Sequence, residues 1–228
     1  MASNNRIGIF GGAFDPIHMG HLMLAERAYE KFSLGKVLFL PTPAPYHRTD
    51  KDLQDLEHRI NMVRLAIEGN DHFEFSDIEL KLDPPTYTVN TLKAFKAAYP
   101  DCEPYLIVGG DTLFSIEKWY EFRQVFDMAV ILSSRRKGET GGESGSLSNS
   151  SACIGAGEDD SLQDEFTERV NYLRDTYGAR IYDIDMPVID ISSSEIVRRA
   201  SAGMSIRYQV PEKVLDYICD NGLYLNGH

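Results

Sequence analysis

Two histidines three residues apart, His18 and His21, follow a pair of glycines in the run Gly11 to His21, GGAFDPIHMGH. On a helix that spacing projects both imidazoles from one side. Backbone N–H groups at a helix start attract anions, and glycine, with no Cβ, lets a phosphate come close to the chain. The chemistry in view is the grip of Gly11, Gly12 and two imidazoles on a phosphate chain. A histidine pair also suits zinc, but no cysteine or further histidine lies near it in sequence to complete a tetrahedral set.

The elements that must position these residues are readable around them. Ile7 to Phe10 is a short apolar run suited to a buried strand over residues 6 to 11, which Gly11-Gly12 should break. After Pro16 the spacing turns helical over 19 to 32, with Leu22, Ala25, Ala28 and Tyr29 on one stripe. Val37 to Leu40 supplies a second strand, so the three elements predict a right-handed βαβ unit. The proline-rich segment Pro41 to Asp50 follows, just past a strand's carboxyl end, where ligands bind in open α/β sheets.

Further along, Leu56 to Ile67 has helical period, with Leu56, Ile60, Val63 and Ile67 inward and Glu57, Arg59 and Arg64 elsewhere. Phe73 to Leu82 alternates as an extended stretch, and Thr88 to Ala98 reads as a helix capped by Thr86 or Thr88. Tyr105 to Val108 is a strand ending in Gly109-Gly110-Asp111. Met128 to Leu132 is another, ending in SSRRKG. Gly138 to Asp160 is rich in Gly, Ser and Glu and reads as a flexible insertion. Leu162 to Tyr177 returns to helix, Ala179 to Ile184 to strand, and Val188 to Ile191 is a short extended segment. Ser192 to Glu195 has capping-box order, and its helix start offers a second anion site. Pro211 to Cys219 is a last amphipathic helix. The alternation predicts an α/β fold with a doubly wound parallel sheet.

The 228 residues suit one domain, 1–228, ending in a small helical part from 192. A net charge of −12 argues against a broad nucleic-acid surface. No apolar run approaches the ~20 residues that span a membrane. The start lacks a signal-peptide pattern, and three scattered cysteines argue against a disulfide framework, so the cytoplasm is the expected compartment.

GGAFDPIHMGH resembles the signature GGxFDPxHxGH of the nucleotidyltransferase α/β-phosphodiesterase superfamily, in its nicotinate or nicotinamide mononucleotide adenylyltransferase branch. PTPAPYHR is similar to that branch's PxxxPPHR loop, PTYTVNTL to SYTxxTL, VGGDTL to IGxDxL, and EKWYEF to the WYxx segment. ISSSEIVRRASAGMSIRYQVPEKVLDYICDNGLY resembles its long closing motif. These pieces cover residues 6 to 136 and 188 to 225.

The resemblance implies a Rossmann-like fold and transfer of an adenylyl group from ATP to nicotinate mononucleotide, giving the dinucleotide and pyrophosphate. The acid acceptor is preferred because the SYT-, WY- and PPHR-like segments are closer to that branch. Mg²⁺ would travel with ATP, with no metal ligands from the protein. Gly11, Gly12, Ala13, Phe14, Asp111, Ser193 and Ser194 would bind ATP, with His18 and His21 on its triphosphate. His47, Thr88, Trp119, Tyr120, Arg135 and Arg136 would bind the acceptor, Trp119 by stacking. The family's arginine after SSTxI falls on Val197 here. Arg198 is the expected replacement, its long stem offsetting a helical rotation of about 100°. RRKG likewise stands where the family has RRPG or KRPG. Another acceptor on the same fold (the amide, pantetheine phosphate or a cytidylyl reaction) and a non-catalytic nucleotide-binding module are the competing readings. Association with copies of itself is left open.

Overall fold

A computed structural model describes residues 5–43, 53–134, 159–187 and 189–225, with backbone alone for 159–164. The stretches expected to carry His47, Arg48, Arg135, Arg136 and Lys137, and nearly all of the 138–160 insertion, lie outside the described residues.

Among the described residues, six strands form one parallel sheet in the order β3-β2-β1-β4-β5-β6. In chain order they are β1 (Arg6–Gly12), β2 (Lys36–Pro41), β3 (Phe73–Phe75), β4 (Glu103–Val108), β5 (Val130–Ser133) and β6 (Ile181–Asp183). The helices are α1 (Met19–Phe32), α2 (Leu56–Ile67), α3 (Thr88–Ala98), α4 (Gly110–Ser115), α5 (Phe122–Met128), α6 (Asp159–Tyr177), α7 (Ser193–Ser201) and α8 (Glu212–Asp220). The doubly wound arrangement follows from the period-two alternation of β1. Ile7 and Ile9 face a core with Val89, Leu92 and Phe95 of α3 and Val125 and Phe126 of α5. Phe10 faces the other core, with Ala25 and Ala28 of α1, Val63 of α2, Ile196 of α7 and Val214 of α8. Each large side chain fully buried in this way contributes roughly 1.5–3 kcal/mol. None of the described helices is long and apolar enough to cross a membrane.

Several expectations need correction. Gly11 and Gly12 do not break β1 but pair with Leu40 and Pro41 of β2. Only Phe73–Phe75 of the alternating 73–82 stretch is strand, and Glu79–Lys81 coils into a 3₁₀ turn. The N-cap of α3 is Tyr87, flanked by the two threonines expected there. Ala129 ends α5, so β5 begins only at Val130. The described part of 188–191 forms no strand.

The inward face of α2 is also rotated from the expected one. Arg59, Met62, Val63 and Ile67 are buried, while Leu56 and Ile60 are only partly so. Arg59 is 2% exposed because backbone carbonyls, rather than solvent, receive its guanidinium.

Candidate active site

The strand order reverses between β1 and β4, and in open parallel sheets that switch point leaves a crevice at the carboxyl ends. A cleft of about 400 Å³ opens there. Gly11, Gly12, Ala13 and Phe14 form one wall, Val108 and Gly109 another, and Thr88, Trp119 and Tyr120 the far end. Ser193 of α7 also lines it.

The turn after β1 is built by a phenylalanine. Phe14 carries a φ of 49°, a left-handed conformation that is strained for a bulky residue. Packing holds it: Phe14 is 2% exposed, edge-on to Phe10 and to the His21 ring. A Cβ on Gly12 would stand 3.4 Å from the Phe14 ring, in ordinary contact with it.

His18 and His21 are stacked, ring centroids 3.6 Å apart at 24°. His18, 3% exposed, is the N-cap of α1 and does not line the cleft; His21 does. Gly20 between them makes the stack possible, since a Cβ there would lie 3.1 Å from the His18 ring. The His18 backbone N–H donates to His21 Nδ1 at 3.2 Å. An Nδ1 that accepts places the proton of a neutral ring on Nε2, so the cleft-facing imidazole is a donor without being charged. The first N–H of α1, at Met19, is taken by the Gln209 carbonyl at 2.8 Å, so that helix start is less bare than its sequence suggests.

The other expected ATP contacts divide. In α7, Ser192 Oγ accepts from the Glu195 backbone N–H, which is half of the expected capping box. Ser193 donates its hydroxyl proton to the Pro16 carbonyl at 3.0 Å and meets the cleft as an acceptor. Ser194 is exposed and off the cleft, and Asp111 is exposed in the first turn of α4 while Thr112 lines the cavity.

Arg198 is not brought to the site. Its guanidinium forks onto the Glu195 carboxylate at 2.7 Å for both bonds, the Arg198 side chain being 62% exposed. That pair holds the Glu195 carboxyl below its usual range. Val197, at the family's arginine position, instead turns inward and packs against the core of the α1 side. One helical position separates the two directions.

Thr88, Trp119 and Tyr120 meet as expected. Thr88 is the first residue of α3, whose N-cap makes no side-chain bond to the first turn, leaving backbone N–H groups at that end of the cleft. Trp119 is half-buried against the α3-side core, and Tyr120 packs on Tyr87 with centroids 4.7 Å apart.

Four further residues were not anticipated. Asp15, 4% exposed, accepts from the Tyr224 hydroxyl and from the Gln54 backbone N–H. Arg59 donates to the carbonyls of Ala13, Thr42, Pro43 and Gln54 at 2.8–3.1 Å, tying the turn after β1 to the chain leaving β2. Glu79 and its partner Thr91 line the cleft. Burial pushes the Glu79 carboxyl above the ordinary glutamate range, and the hydroxyls of Thr42 and Thr91 only partly offset this. The clue for Arg59 lay in its spacing of four from Val63 and eight from Ile67, both inward.

Comparison with known proteins places the chain in context. The cytidylyltransferase-like family model matches residues 9–199. A protein of Lachnoclostridium phytofermentans named probable nicotinate-nucleotide adenylyltransferase is 37% identical over 220 residues, covering 96% of this chain and 99% of that one. One of the same name from Thermomicrobium roseum is 36% identical, covering 96% and 92%. In fold, the chain is similar to the solved Plasmodium falciparum nicotinic acid mononucleotide adenylyltransferase complexed with NaAD. That likeness has a TM-score of 0.68 and 21% identity and covers 96% of this chain and 97% of that one.

Proposed function

The chain belongs to the cytidylyltransferase-like family, among the nicotinate-nucleotide adenylyltransferases, and we propose on that footing that it adenylates nicotinate mononucleotide in NAD biosynthesis. The reaction joins the mononucleotide's 5′-phosphate to the α-phosphorus of ATP and expels pyrophosphate. The observation that carries this reading is a full-length likeness to relatives of that name combined with a cleft that has phosphate-type donors at one end and an aromatic, donor-bearing wall at the other.

The residues suit the chemistry without a covalent intermediate. An in-line displacement needs its two phosphates held in place and its leaving group stabilised. In this reading the backbone from Gly12 to Phe14 and His21 Nε2–H hold the triphosphate. His18 sets the His21 ring by stacking on it and by donating to Nδ1. The backbone N–H groups that open α7 at Ser193 add donors beside the turn. Trp119 stacks on the pyridine ring, and the first turn of α3 at Thr88 receives its carboxylate, a group that seeks backbone N–H donors. That end of the cleft favours the acid over the amide.

Mg²⁺ would come with ATP as part of the substrate and, when bound, would supply neutralising charge to the phosphates. Among the described residues no three His, Cys, Asp or Glu side chains gather as a metal cage. The protein's own part is to orient the phosphates.

The test is pyrophosphate release from ATP and Mg²⁺ with nicotinate or nicotinamide mononucleotide as acceptor. Strong preference for the acid is expected. Equal use of both would overturn the specificity, and no release with either would overturn the reaction.

A further inference from the structure

Glu79 has no task in the mechanism above, yet it is built into the cleft. It is 7% exposed and opens the 3₁₀ turn between β3 and α3. Its Oε1 accepts from Thr91 Oγ1 at 2.9 Å. Its Oε2 is buried with no hydrogen-bond partner among the described residues. The Thr42 hydroxyl favours the charged form of the carboxyl, against the larger effect of burial. Glu79 lines the cleft, so a turn of its carboxyl about the last side-chain bond brings this unpaired acceptor to a ligand's donor.

We propose that Glu79 is a substrate-contacting residue whose Oε2 accepts a hydrogen bond from a ribose hydroxyl of the mononucleotide acceptor. The assignment rests on the reading of the cleft as a mononucleotide adenylyltransferase site.

The chemical class follows from the unpaired acceptor: phosphate oxygens offer it no donor, so they belong with the donors at the turn after β1. The neutral donors of a mononucleotide's sugar are its hydroxyls, which match a carboxylate oxygen.

The choice between the two nucleotides follows from the two faces of the sheet. Gly11 has the same parity along β1 as Ile7 and Ile9, and a Cβ on it would point at Glu79 Oε1 at 3.5 Å. A Cβ on Gly12 would instead meet Phe14, on the α1 face. Glu79 therefore shares a face with α3, Tyr87 and Trp119, away from α1 and α7. A ring at Trp119 and a phosphate at the end of β1 leave the sugar between them, passing Glu79.

The experiment compares acceptors with and without ribose hydroxyls in the wild type, Glu79→Ala and Glu79→Gln. Absence of turnover by the wild type with any mononucleotide would overturn both the function and this assignment. With turnover established, Glu79→Ala should raise KM for the mononucleotide at least about tenfold and leave KM for ATP within about twofold. The 2′,3′-dideoxy acceptor should lose a similar factor in the wild type and nothing further in Glu79→Ala. Glu79→Gln, whose amide oxygen still accepts, should recover most of the loss and serves the same comparison where the alanine variant does not fold. A Glu79 substitution that weakens both acceptors equally, or that moves KM for ATP instead, would overturn the contact.

Discussion

The hydroxyl of Tyr224 donates to Oδ1 of Asp15 across 209 residues of chain, fastening the last described turn beneath the loop that follows β1. Both groups are buried, Asp15 at 4% and Tyr224 at 6% exposure. Burial first, and then the Asp15 charge, pushes the Tyr224 hydroxyl above the tyrosine range, so it remains a donor at any ordinary pH. The other carboxylate oxygen takes the Gln54 N–H at 3.2 Å. Asp15, embedded in the most recognisable motif of the chain, thus acts as an anchor.

Removing that donor alone should be costly. Tyr224→Phe keeps the ring and its packing but leaves one oxygen of a buried carboxylate without its partner. A loss of roughly 1.5–3 kcal/mol is expected, the range for a hydrogen bond to a charged group. Urea unfolding of the two proteins measures it, and equal midpoints would show that the bond contributes nothing.

Arg59 should tolerate no cationic substitute. Lysine has three donors on a compact ammonium and cannot reach four carbonyls arranged around a planar fork. Arg59→Lys leaves several buried carbonyls open at about 1–3 kcal/mol each, so a loss of about 3 kcal/mol or more is expected. Because the freed carbonyls include Ala13 and Thr42 of the cleft wall, catalytic efficiency should fall as well. Thermal unfolding and steady-state kinetics on the same preparation check both, and unchanged values would remove Arg59 from its positioning role.

Glu117 gives a pH dependence of definite sign. Its carboxylate takes hydrogen bonds from the hydroxyls of Tyr177 (2.5 Å) and Tyr172 and from Arg169 (2.7 Å), joining α6 to the turn before Trp119. The Tyr177 bond, then Arg169, holds its pKa below the ordinary 4.5. A group depressed in the folded state stabilises it fully above its unfolded pKa and loses that contribution as pH falls through the folded one. Wild type should therefore exceed Glu117→Gln in melting temperature by a constant margin at pH 6 to 8, and the margin should shrink below about pH 4.5. A margin that stays constant into acid would contradict the linkage.

Much of this architecture is legible in the sequence because it follows from local pattern. The parity of Ile7, Ile9 and Phe10 sends β1 to two cores, and the stripe of α1 follows from its period. The meeting of Thr88, Trp119 and Tyr120 was readable from segments resembling a known family. What escaped depends on partners distant in the chain. Arg59 looks like a solvent-facing cation until carbonyls from three other segments surround it. Phe14 is an ordinary apolar residue until the turn forces a positive φ. Arg198 shows the opposite failure: its charge suggested a phosphate, but helical phase gives the inward direction to Val197 and leaves Arg198 with Glu195, three residues back.

The turn after β1 is held by three bonds from the far end of the chain: Ser193 to the Pro16 carbonyl, Met19 to the Gln209 carbonyl, and Tyr224 to Asp15. During synthesis the turn leaves the ribosome ahead of its supports, which follow some 180 to 210 residues later, with separations of 177 and 209 for the outer two. At about 5–20 residues per second this is a delay on the order of ten seconds or more. Through that interval the nascent chain carries the turn and its two histidines without the braces that set them. On the proposed function, a partly made protein has little means of withdrawing nucleotide from the cell, and binding begins once Tyr224 has reached Asp15.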